Sequence, residues 1–148
     1  MTKKKIKMPI GFKISALNTE QFAILEEVYV KEKDVRINAG LQFSLDSKQK
    51  GIGVHFTVQF KHETDVFLVL KTGCFFHIDP DKWNELLSEN EKSITFPKEF
   101  ISHLSVLAIG TTRGILHEKL KETPTFNQFI LPTINVTEIV KEDVILEL

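Results

Sequence analysis

Cysteine is nearly absent: Cys74 stands alone in 148 residues, which excludes an intramolecular disulfide and reads as a small buried strand residue rather than a nucleophile. Glycine (7) and proline (5) are too scarce for a collagen-like or low-complexity chain. A basic surplus is missing as well. Nineteen Lys and Arg face twenty Asp and Glu, a net charge of −1, which excludes dedicated nucleic-acid binding by neutralisation of phosphates. No apolar stretch approaches the ~20 residues of a spanning helix, so membrane insertion is not expected. Lys3, Lys4, Lys5 and Lys7 are followed only by Met8, Pro9 and Ile10 before Gly11 and Lys13. A signal peptide needs about seven or more apolar residues there, so a cytoplasmic location is expected. Residues 1–10 read as a flexible basic start and 141–148 as an acidic tail on a single domain spanning 1–148.

Sites for chemistry are missing too. His55, His62, His77, His103 and His117 show no i, i+4 pair that could share a metal on one helix, and no cysteine or carboxylate cluster completes a site. Gly51-Ile52-Gly53 lacks the third glycine and following helix of a dinucleotide fingerprint, and no phosphate-binding loop occurs. The expectation is therefore no catalytic residue, no metal and no cofactor. An enzyme reading would need His55 and His77, both opposite the apolar side of their strands, to share a pocket with an acid.

Phenylalanine is the excess: twelve residues against one Trp and one Tyr. Each brings a large apolar area with no polar handle, so twelve in one small domain either fill a core or spill onto a surface. Val35, Ile37, Ala39, Leu41, Phe43 and Leu45 alternate with polar residues, as do Ile52, Val54, Phe56, Val58 and Phe60 after the turn at 47–51. Strict period two on both sides of a polar turn predicts an antiparallel hairpin. A third run from Val66 to Ile78 is apolar on both faces and needs cover on both. Upstream, Phe12, Ile14 and Ala16 predict an earlier strand. It either resumes at Phe22 and Ile24 or gives way to a short helix from Thr19 to Val28, and residues 28–33 read as a loop carrying apolar side chains.

Helices follow the strands. Asp79 and Pro80 suit an N-cap and first turn of a helix ending near Asn90, and Pro97 can open a longer one running through Leu116 toward Pro124. Gly110 and Gly114 within it predict close packing or a bend. Asn135 and Glu138 fit the cap of a last helix. Strands first and helices after define an α+β domain: a four-stranded antiparallel sheet, a meander, with helices packed on one side.

The segment from Phe67 to Ile78, centred on Gly73, resembles the glycine-centred strand of the SecB family of protein-export chaperones. Phe96-Pro97 resembles that family's entry into its long helix, Arg113-Gly114 the pair near that helix's end, and Leu131-Pro132 through Asn135 the introduction to its last helix. The resemblance implies an ATP-independent holdase without cofactor, a homo-oligomer (dimer or tetrameric dimer of dimers), binding non-native polypeptides or preproteins in apolar grooves. Carried over by position, the groove comprises Leu41, Phe43 and Leu45 on the second strand, Val28, Tyr29 and Val30 in the loop, and Val136, Ile139 and Val140 on the last helix. Phe67, Val69 and Phe75 are assigned to an oligomer or client surface. The glutamate with which export members dock the SecA motor is matched here by Leu70, which argues against that docking. Preprotein export is one use of such a chaperone. The alternatives are service to a single client, such as the antitoxin of a toxin–antitoxin pair, and a binding module without general chaperone activity.

Overall fold

The computed structural model describes residues 9–148, and the basic start at Lys3 to Lys7 lies outside them. Four long strands come first: β1 (Phe12–Ile24), β2 (Arg36–Asp46), β3 (Gly51–His62) and β4 (Asp65–Ile78). They form one antiparallel sheet in the order β1-β4-β3-β2. β2, β3 and β4 make the meander, and β1 is carried across to pair with the far side of β4. The alternation read from the sequence sets the faces. Ile52, Val54, Phe56, Val58 and Phe60 on β3 and Leu68, Leu70, Cys74 and Phe76 on β4 are buried beneath the helices. Gly53, His55, Thr57 and Gln59 face the other way.

The helix α1 (Pro80–Leu86) starts where the sequence places it, with the Asp79 carboxylate accepting from Asp81 N–H, but it ends at Leu86, before Asn90. The helix α2 (Lys98–Leu120) follows Pro97 and packs over β3 and β4. Neither Gly110 nor Gly114 has a neighbour within 4 Å of where a Cβ would sit, so no close approach inside this chain requires them. The short strands β5 (Ser93–Phe96) and β6 (Val144–Glu147) pair antiparallel, and α3 (Val136–Ile139) lies between α2 and β6 in sequence. The expected acidic tail thus contains a strand. The helix considered for Thr19–Val28 is not formed. β1 runs through to Ile24 with irregularities between Ile14 and Ala16 and between Thr19 and Gln21, and those breaks in period two are what imitated an interruption.

Six phenylalanines, Phe56, Phe60, Phe67, Phe76, Phe96 and Phe100, are among the largest fully buried side chains. Cys74 is buried as expected, and its thiol is pushed up by desolvation, partly offset by a hydrogen bond with Thr111.

A polar contact joins the sheet to α2. The Thr112 hydroxyl donates to the Ala108 carbonyl at 2.8 Å, which leaves it to accept from the Thr72 hydroxyl at 2.7 Å. Both threonines are fully buried. Thr112→Val therefore strands a buried donor on Thr72 and should cost about 1–3 kcal/mol in urea unfolding, whereas Thr72→Val costs less. The double variant T72V/T112V should be more stable than T112V alone, because no orphan remains.

Candidate functional site

β2 is an edge strand: it pairs with β3 and has no strand on its other side among the described residues. α2 lies over β3 and β4, so the helix-side residues of β2 are covered only in part. Leu41, Phe43 and Leu45 are half-buried against the core, and Ile37 on the same row is 39% exposed. The result is a stepped apolar row along a strand whose outer main chain is open. Long open edges with apolar side chains invite pairing with another extended chain.

The loop from β1 to β2 is held by a buried histidine. His62 Nδ1 donates to the Asp34 carbonyl at 2.8 Å, and its Nε2 accepts from Val30 N–H at 3.0 Å. The ring packs against Phe67 (centroids 4.8 Å apart) and Tyr29 (5.6 Å), which also touch each other at 5.0 Å. Tyr29 also meets Phe126 at 5.2 Å and Phe129 at 5.8 Å. Val28 and Tyr29 are half-buried, while Val30 is 42% exposed. The loop is thus fixed over the ends of β3 and β4, with Leu25, Val30 and Val35 exposed along it.

Phe67 departs from its expected place on a surface: it is completely buried in this aromatic cluster. The register between β3 and β4 slips there, Phe60 opposing Leu68 and Lys61 opposing Val66. Phe67 is the extra residue of a bulge, which turns its ring to the helix side. The last helix departs as well. Val136 and Val140 are 8% and 5% exposed and belong to the core, leaving Ile139, 37% exposed, as the member of that trio on the surface. Val69 and Phe75 do lie half-buried on the side of the sheet away from the helices. Val69 lines a hollow of about 590 Å³ with Gln42, Thr57 and Gln59. Leu70, the position matched to the motor-docking glutamate, is fully buried under the helices.

Arg113 secures the chain entering α3. Its Nε donates to the Leu131 carbonyl and its Nη2 to that of Pro132, both at 2.8 Å. Bonds from a charged donor contribute about 1.5–3 kcal/mol, so Arg113→Ala should lower stability by roughly 2 kcal/mol and speed proteolysis between 121 and 135. Arg113→Lys should restore little, because an ammonium lacks the planar fork.

The helix-free face carries a constellation that the sequence reading missed. His55 does not meet His77: His55 lies opposite Gly73 and His77 opposite Gly51, four residues apart along β4. Instead His55 Nδ1 is 2.5 Å from Glu20 Oε1 on β1, and His55 Nε2 is 2.8 Å from Ser44 Oγ on β2. Lys71 Nζ stands 3.6 Å from the other Glu20 oxygen. The Phe75 ring meets His55 edge-on, with centroids 5.5 Å apart. A Cβ on Gly73 would collide with the Glu20 carboxylate, and one on Gly53 with the Ser44 hydroxyl. Each glycine therefore keeps open the space through which this chain of hydrogen bonds passes. Among the described residues no group of three or more metal-ligating side chains occurs, and no helix is long and apolar enough to cross a membrane.

No family model and no curated protein matches the chain. Among solved structures it is similar to a Mycobacterium tuberculosis SecB-like chaperone in complex with a peptide from an antitoxin. The TM-score is 0.48 at 5% identity, covering 84% of this chain and 91% of that one. It is also similar to a Streptococcus agalactiae protein of unknown function, with a TM-score of 0.35 at 13% identity, covering 86% of this chain and 99% of that one.

Proposed function

We propose that this protein is an ATP-independent holdase that binds non-native polypeptides along β2. The observation that carries the reading is the half-buried row Leu41, Phe43 and Leu45 on a strand with an open outer edge. A binder of many sequences relies on burial of apolar area, about 25 cal/mol per Å², with main-chain hydrogen bonds that any extended segment can make. Ile37, Val30 and Ile139 add exposed apolar surface. The SecB-like motifs also fall on matching elements: Gly73 on β4, Phe96-Pro97 at the start of α2, Arg113-Gly114 late in α2, and Asn135 as the cap of α3.

Binding unfolded chains in preference to folded ones shifts the folding equilibrium by mass action and needs no nucleotide. A dimer or dimer of dimers would align several such rows for one long client. Leu70, buried beneath the helices, offers no carboxylate at that position for an export motor to dock on. The test is light scattering of a chemically unfolded client diluted into buffer without ATP. Suppression near one oligomer per client is expected, whereas full aggregation in the presence of excess protein would remove the proposal.

A further inference from the structure

The Ser44–His55–Glu20 chain is more than a cross-strand tie in form. A carboxylate only accepts, so His55 Nδ1 carries the proton shared with Glu20, and in the neutral imidazole Nε2 is then bare to accept from Ser44 Oγ–H at 2.8 Å. A hydroxyl in contact with a base, and that base held by a third group, is the arrangement that activates a serine nucleophile. The hydroxyl is also reachable. Ser44 is exposed and lines a cleft of about 450 Å³ to which Phe75 gives an apolar side and which Lys48 and Gln49 also line.

We propose that Ser44 is an acyl-accepting nucleophile with His55 as its general base and Glu20 as the positioning residue, acting on esters of short apolar acyl groups. Ser44 Oγ forms a bond to the acyl carbonyl carbon while its proton passes to His55 Nε2. The carbon–oxygen bond to the leaving alcohol then breaks, and His55 returns the proton to that alcohol. Water repeats the sequence on the acyl-Ser44 ester, releasing the acid, so one ester and one water give one acid and one alcohol. Lys48 and Gln49, which line the cleft, would supply donors to the transient oxyanion. The site lies on the face opposite the apolar row of β2, so it does not depend on the holdase reading.

The test uses the full chain and p-nitrophenyl acetate. A burst of p-nitrophenolate equal to the protein concentration is expected, with the acetyl group mapped to Ser44 by peptide mass spectrometry. Ser44→Ala and His55→Gln should each slow the burst by at least ~100-fold, the scale of a lost nucleophile or base, while Ser102→Ala on α2 should leave it unchanged. Ser44→Cys guards against a folding defect. Its thiol should be alkylated by iodoacetamide far faster than buried Cys74, and adding His55→Gln should slow that reaction. Absence of a burst, acetylation at lysines instead of Ser44, or an S44C thiol indifferent to His55 would overturn the proposal.

Discussion

Phe67→Ala should remove about 3–5 kcal/mol of stability, the cost of emptying a buried aromatic site that cannot collapse. Four aromatic partners define that site: His62 at 4.8 Å, Tyr29 at 5.0 Å, Phe129 at 5.4 Å and Phe126 at 6.3 Å. Domains of this kind have roughly 5–15 kcal/mol in total, so the loss shows directly as a shift of the urea midpoint. The effect should not stop at stability. His62 is both the stacking partner of Phe67 and the tie that holds Val30 and Asp34. Hydrogen exchange should therefore accelerate first in the loop 25–35, ahead of the β3 core, even where the domain remains folded. Equal acceleration throughout would mean that the cluster is not a local latch.

Leu41→Ser combined with Phe43→Ser should give the largest functional loss. Half-buried side chains contribute less to the core than fully buried ones, and the fold should persist, as circular dichroism would check. Loss of apolar contact area from two adjacent steps of the row should cost on the order of 2 kcal/mol of client binding. That corresponds to roughly 30-fold in Kd, read by fluorescence anisotropy of a labelled unfolded peptide. Gln42→Ala, between them on the opposite face, should change affinity less than about twofold, since a side chain there buries no apolar area against a client on the helix side.

The hairpin β2–β3 and the strand β4 were legible because each face of the sheet has one character, and period two follows from the pleat. β1 was harder to read. Its irregularities near Ser15 and Glu20 break the alternation, and one of them delivers Glu20 to the side of His55. The bulge at Phe67 likewise hid its burial, because a run apolar on both faces gives no sign of which residue is extra. β5 and β6 are four residues each, and neither carries enough alternation to stand out from its surroundings. The apolar row of β2 was read directly from spacing. The partial cover of that row came only from the position of α2, and burial of Val136 and Val140 only from the packing of α3. Ser44, His55 and Glu20 stand 11 and 35 residues apart in sequence on three strands. Only the sheet order and register bring them together, so no local motif could announce them.

Site-specific photocrosslinking measures directly which side of β2 meets a client. A photoreactive residue placed in turn at positions 41 to 45 is illuminated in the presence of an unfolded client. Crosslinks at 41, 43 and 45 with little at 42 and 44 are the predicted result, following the alternation of the strand. Equal crosslinking at all five, or crosslinks confined to 42 and 44, would contradict binding along the apolar row.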